Sequence, residues 1–148
     1  MLVLGVAADL AHVLALALVV EVGEASVVEL QVGAAELADA LFNGLEVDGF
    51  FMEWDDARSG GFEPLRFVPE GRTVVLGLVT TKRGALEDRD VLLRRIEEAS
   101  QYVDVDQLCL SPQCGFSSTV EGNALSQEQQ AAKLRRVVEV AEEVWGSV

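Results

Sequence analysis

From Gly33 onward the apolar positions switch repeatedly between a helical and an extended period. "GAAELADALFNGLEV" places Leu37, Ala40, Leu41 and Leu45 on one helical stripe, and Asn43-Gly44 or Glu46 would end the helix. "VDGFFMEW" follows, with Phe50, Phe51 and Met52 continuous and apolar. Such a run between turn residues predicts a strand buried on both faces, as in a parallel sheet. "EWDDARSGG" is a loop by its Gly, Asp and Ser content. "GRTVVLGLVTTK" is the clearest strand, mostly β-branched or apolar from Thr73 to Thr80, and Gly77 inside it marks a close contact or bend. "EDRDVLLRRIEEASQYV" is a helix that buries Leu92, Ile96 and Ala99. "VDQLCLSP" is a strand stopped by Pro112, with Cys109 in its apolar core-facing run. "LSQEQQAAKLRRVVEVAEEVWG" is a helix. It opens on a Ser126/Gln129 capping box, carries a stripe of Leu134, Val137, Val138, Ala141 and Trp145, and is closed by Gly146. Trp54 and Trp145 are packing residues.

Strands alternating with helices define parallel β/α units. Three such strands cannot close a barrel, because an eight-stranded β/α barrel takes roughly 200 residues or more. The order therefore belongs either to a small open sheet or to the last part of a larger barrel.

Residues 1–32 differ from the rest. They are almost entirely Val, Ala, Leu, Gly, Glu and Asp, and Arg58 is the first basic residue of the chain. That monotony fits GC-rich DNA translated in an unselected frame, and equally an apolar strand and helix. A secretory signal lacks its positive n-region here. The apolar run between Asp9 and Glu21, 11 residues, is too short to span a bilayer. The formal charge of −14 sets nucleic acid and anionic membrane aside as partners. With 148 residues there is enough chain for one domain with a core, and two cysteines are no disulfide framework, which points to a reducing, cytoplasmic compartment.

In β/α architectures functional residues gather just past the carboxyl ends of the strands. Glu53 ends the first strand, Thr80, Thr81 and Lys82 the second, and Ser111, Gln113 and Cys114 the third. A carboxylate and a thiolate on one rim are zinc ligands by chemistry. By spacing alone that signal is weak: a solvated loop acid and a buried small residue are the commoner explanations. Lys82 is placed to meet an anionic substrate, or is an ordinary surface lysine. His12 lies in the atypical segment and is not taken as a ligand.

Three stretches carry a resemblance. "VDGFFMEWDDARSGGFEPLRFVP", "VVLGLVTTKRGALED" and "LCLSPQCGFSSTVEGNALSQEQQAAKLRRVVEVAEEVWG" together resemble the carboxyl-terminal catalytic region of cobalamin-independent methionine synthase, and its shorter relatives most. The resemblance covers roughly residues 33–148, and its "SPQCGF" turn followed by "GN-LS" is specific in that order.

It implies the carboxyl-terminal, incomplete part of a (β/α)8 TIM barrel, with residues 1–32 an unrelated leader from a frameshift or misplaced start. It also implies zinc at the barrel mouth, held by a His-x-Cys pair on an earlier strand, by a Glu and by a Cys. The Glu maps onto Glu53 and the last Cys onto Cys114. The implied chemistry moves a methyl group from 5-methyltetrahydrofolate (polyglutamate) to the homocysteine thiol, giving methionine. Where longer relatives place a proton-donating histidine, this chain has "TTKRG", with Lys82 near that place. Residues 1–32 contain no cysteine, so the His-x-Cys pair is missing. The resemblance thus leaves two expectations: a zinc methyltransferase whose other ligands come from a partner chain or a missing part of the gene, or an inactive barrel fragment.

Overall fold

A computed structural model describes residues 3–6, 34–56, 59–113, 116 and 124–146. The elements are β1 (Val3–Val6), α1 (Ala34–Gly44), β2 (Gly49–Glu53), a 3-10 turn (Glu63–Phe67), β3 (Thr73–Val79), α2 (Arg89–Ala99), a second 3-10 turn (Val105–Gln107), β4 (Leu108–Pro112) and α3 (Gln127–Trp145). The strands form one four-stranded sheet in the order β1-β2-β3-β4, and every pairing is parallel. The parallel β/α order is the one the periodicity predicts. Of the atypical first 32 residues only Val3–Val6 are described, and they pair with Gly49–Met52 of β2.

The core lies on one side of this sheet. Successive side chains of a strand point to opposite faces. Phe50 and Met52 of β2, Val74 and Leu76 of β3, and Leu108 of β4 are buried with Ala38 and Phe42 of α1 and Leu92 and Ile96 of α2. The Phe42 and Phe50 rings meet edge-to-face at 4.9 Å. The other face is less covered among the described residues. Phe51, Val75 and Cys109 are register partners across β2, β3 and β4. Phe51 is 40% exposed, and Cys109 is exposed.

Two expectations are corrected here. β2 is not buried on both faces among the described residues, and Cys109 is not core. In each case a continuous apolar run hides the period-two alternation that decides which residues meet the helices.

Helix ends follow the local chemistry. Asp88 caps α2 by accepting from the backbone N–H groups of Asp90 and Val91. The capping box of Ser126 and Gln129 opens α3, and Gly146 closes it in the left-handed conformation at φ 77°. α2 buries Leu92, Ile96 and Ala99, as its stripe predicts.

The faces of α1 and α3 are rotated from the expected ones. In α1 the buried residues are Ala38 and Phe42, with Leu37 and Leu41 at the margin and Leu45 exposed. In α3 the buried line is Lys133, Val140 and Ala141, flanked by Val137 and Val144, while Leu134 and Val138 are each 43% exposed. Trp54 is buried against Phe62, ring centroids 5.0 Å apart, and donates from Nε1 to Gly61 O. Trp145 packs against the core and donates from Nε1 to Val105 O at 2.9 Å.

Candidate metal centre

The parallel register brings the carboxyl ends of β2, β3 and β4 to one rim. Glu53 is the last residue of β2 and pairs with Gly77 of β3, which in turn pairs with Ser111 of β4. An irregularity between Gly77 and Val79 advances β3 by a residue, so that Val79 faces Pro112 and the Gln113 N–H bonds to Val79 O at 2.9 Å. Glu53 and Gln113 therefore stand on either side of β3. Their side chains meet above it: Gln113 Nε2 donates to Glu53 Oε2 at 2.7 Å. Gly77 is crowded by neighbouring backbone, with Met52 O 2.9 Å from where its Cβ would be. A Cβ there would lie 3.2 Å from Gln113 Cα and 3.4 Å from Glu53 Cα. This is the close contact that glycine inside β3 predicts.

Past β3 the chain runs into "TTKRG". Thr80 and Thr81 are buried. The Lys82 N–H donates to Thr80 Oγ1 at 3.2 Å, a tight local turn. Lys82 Nζ lies 3.3 Å from Asp55 Oδ2; the lysine is half-exposed, the aspartate only 3%. Lys82 Nζ donates to Asp55 Oδ1 at 3.4 Å, while Oδ2 meets it by charge and has no hydrogen-bond partner among the described residues.

The same loop is held from below by an interior ion pair. Lys133 Nζ donates to both carboxylate oxygens of Glu87 at 2.9 Å and to Ala85 O at 2.6 Å, and Glu87 Oε1 accepts from the Thr80 N–H at 3.1 Å. Lys133 is fully buried. A buried charge persists when it is paired and hydrogen-bonded, and Lys133 has three such contacts.

Of the sequence-predicted site residues, the structure places Glu53 and Lys82 on one rim. Cys114 lies outside the described residues; it follows Gln113 directly in the chain. Among the described residues no group of three His, Cys, Asp or Glu side chains could hold a metal ion. Sequence reasoning missed Gln113 as the partner of Glu53, Asp55 as the partner of Lys82, and the Glu87–Lys133 pair. Lys133 left a faint signal, since it falls four residues before Val137 and seven before Val140 on its own helix. The other pairs join residues 60 and 27 positions apart and leave no local trace.

On the fold and site alone the chain is a parallel β/α unit with a carboxylate fixed on its carboxyl-terminal rim. Comparison with solved structures narrows that class: its structural neighbours are B12-independent methionine synthase-like proteins. A candidate vitamin-B12-independent methionine synthase from Listeria monocytogenes is 38% identical with a TM-score of 0.57, over 76% of this chain and 32% of that one. A B12-independent methionine synthase from Shewanella sp. W3-18-1, solved with selenomethionine, has a TM-score of 0.60 over 74% of this chain and 29% of that one. At 21% identity it speaks for the fold alone.

Among curated proteins the chain is 64% identical over 109 residues to "uncharacterized protein YxjG" of Bacillus subtilis (strain 168), taking in 73% of this chain and 29% of that protein. It is 54% identical over 114 residues to "uncharacterized protein YxjH" of the same organism, taking in 76% of this chain and 30% of that protein. The chain thus spans about three tenths of the length of the curated relatives it matches. No protein-family model matches it. No helix among the described residues is long and apolar enough to cross a membrane.

Proposed function

We propose that the chain is the carboxyl-terminal part of a (β/α)8 barrel of a zinc-dependent methyltransferase, acting in the cytoplasm. Its reaction would move a methyl group from 5-methyltetrahydrofolate (polyglutamate) to the thiol of homocysteine, giving methionine. The observation that carries this reading is the Glu53 carboxylate on the carboxyl-terminal rim, bonded at 2.7 Å to Gln113, the residue before Cys114. The donor set is of the right chemistry: zinc takes carboxylate oxygen and thiolate sulfur. Glu53 and Cys114 would supply two of its ligands, and a partner chain or a further part of the protein the remaining ones.

The acceptor thiol explains the need for a metal. An unperturbed thiol titrates near pH 8.5 and is mostly protonated at neutral pH. Bound zinc would supply the thiolate nucleophile. Glu53 would orient the centre, and Gln113 would fix Glu53. Lys82 carries a proton at Nζ, stands half-exposed at the end of β3, and is the candidate to protonate the departing amine of the methyl donor.

Zinc content of the complete enzyme, with the part that supplies the remaining ligands present, tests the reading. Cys114→Ala and Glu53→Gln should each abolish stoichiometric zinc, and zinc retained by Cys114→Ala would refute the ligand assignment. The second reading, an inactive fragment, is favoured by the 40% exposure of Phe51 on the sheet and by residues 1–32, which hold His12 but no cysteine. On that reading the chain alone neither holds zinc tightly nor transfers methyl groups, and a complementing chain restores both.

A further inference from the structure

We propose that Lys133 of α3 is the positioning residue of the loop between β3 and α2, and through that loop of Lys82 on the rim. The loop runs from Thr80, just past β3, to Asp88, the cap of α2. Glu87 stands at its far end, and the Glu87 carboxylate accepts from the Thr80 N–H at 3.1 Å. That contact closes residues 81–86 into a ring. Lys133 holds the ring from the helix: Nζ donates to both Glu87 oxygens at 2.9 Å and to Ala85 O at 2.6 Å. Gly84 lies against the side chain of Gln129, one turn earlier on the same helix. Lys82 thus springs from a loop that α3 grips at its end and its middle. Its N–H bonds to Thr80 Oγ1 at 3.2 Å, and its Nζ reaches the buried Asp55 carboxylate.

Stability alone does not call for a lysine at this position. Lys133 is 0% exposed, and a buried ion pair replaced on both sides by apolar residues of similar volume is often as stable or more so. Methionine would fill the same space. What it lacks is directed bonding to separate points of one loop. The ammonium has three donors, and here they meet Glu87 and Ala85 O, while Glu87 passes the constraint on to Thr80. The placement stands on these contacts; only its bearing on catalysis rests on the reading of Lys82 as proton donor.

The test is limited trypsin digestion of the full chain under native conditions, with cleavage after Lys82 and Arg83 followed by mass spectrometry. Cleavage requires the loop to open, so its rate reports the population of the open loop. Wild type is compared with Lys133→Met and with the double variant Lys133→Met/Glu87→Leu, and urea denaturation gives the global stability of each. The expected result is slow cleavage of wild type and cleavage roughly 10-fold faster or more in both variants, even where the double variant regains global stability. A double variant that regains stability and is cut as slowly as wild type overturns the positioning role, because the lysine then acts on stability alone. A wild-type loop cut as fast as a free peptide of the same sequence overturns it too. Should neither variant fold, hydrogen exchange of the wild-type Thr80 and Lys82 amides decides: protection supports the clamp, and exchange at the rate of free amides overturns it. Lys82→Met with an unchanged rate in the complete enzyme would remove the donor reading, separately from the clamp.

Discussion

Lys133 is the most demanding residue of the described structure, a fully buried ammonium bonded to Glu87 and to Ala85 O. Removing one partner of such a pair strands the other charge in the interior. Lys133→Ala is therefore expected to cost about 3–5 kcal/mol of unfolding free energy, read from urea denaturation. Replacing both partners, with Lys133→Met and Glu87→Leu, should recover much of it; a double variant as unstable as the single one would show that the pair's attraction is not what matters.

Cys109 gives a second residue-scale prediction. Although exposed, it sits beside Val75 on the less covered sheet face, and burial pushes its thiol above the ordinary range. Desolvation disfavours the thiolate, so the folded pKa exceeds the unfolded one. Stability from the neutral thiol is then present below the unfolded thiol's pKa, about 8.5, and is lost as pH rises through the raised value. In a Cys114→Ser background, iodoacetamide should modify Cys109 more slowly in the folded than in the urea-unfolded chain at pH 8.5. The two rates should converge at higher pH, and equal rates at pH 8.5 would count against the shift.

At the scale of elements, the caps carry their own stability. Ser126 accepts from the Gln129 N–H at 3.2 Å while Gln129 Oε1 accepts from the Ser126 N–H at 2.9 Å. Ser126→Ala should lower stability by about 1 kcal/mol, within the range measured for N-caps; thermal melts that match wild type would show that α3 is held by packing alone. These caps were legible because everything they need lies within three residues of sequence. The helix faces were less so. In α3 apolar residues occupy two adjoining stripes, and the sequence does not say which one meets the sheet. The structure seats Val140 and Ala141 inward with Lys133, and leaves Leu134 and Val138 outward. The buried lysine fits this seating, since it places Lys133 Nζ on Glu87 and Ala85 O.

For the whole molecule the governing feature is a four-stranded parallel sheet that the described helices cover on one face. β1 and β4 end the sheet, so each has a side with no described strand beside it, and Phe51 stands 40% exposed on the less covered face. Parallel sheets bury both faces, and uncovered edges and apolar faces drive association. The chain alone should therefore self-associate in sedimentation experiments, and Phe51→Ser should reduce that association. A cooperatively unfolding monomer at high concentration would instead show that the sheet is satisfied as it stands.

What the sequence determined by itself was local and periodic: where strands and helices fall, that Ser126 begins a helix, that Gly146 ends it, and that strand ends would gather polar residues at a rim. Short-range sterics and hydrogen bonds settle those matters. The sequence could not pair Glu53 with Gln113, Lys82 with Asp55, or Glu87 with Lys133, because each pair meets only when the register of β2, β3 and β4 and the seating of α3 are set. Nor could it tell that Phe51 and Cys109 face outward while Phe50 and Leu108 face inward. Both members of each couple are apolar, and only docking of the helices on one side of the sheet distinguishes them.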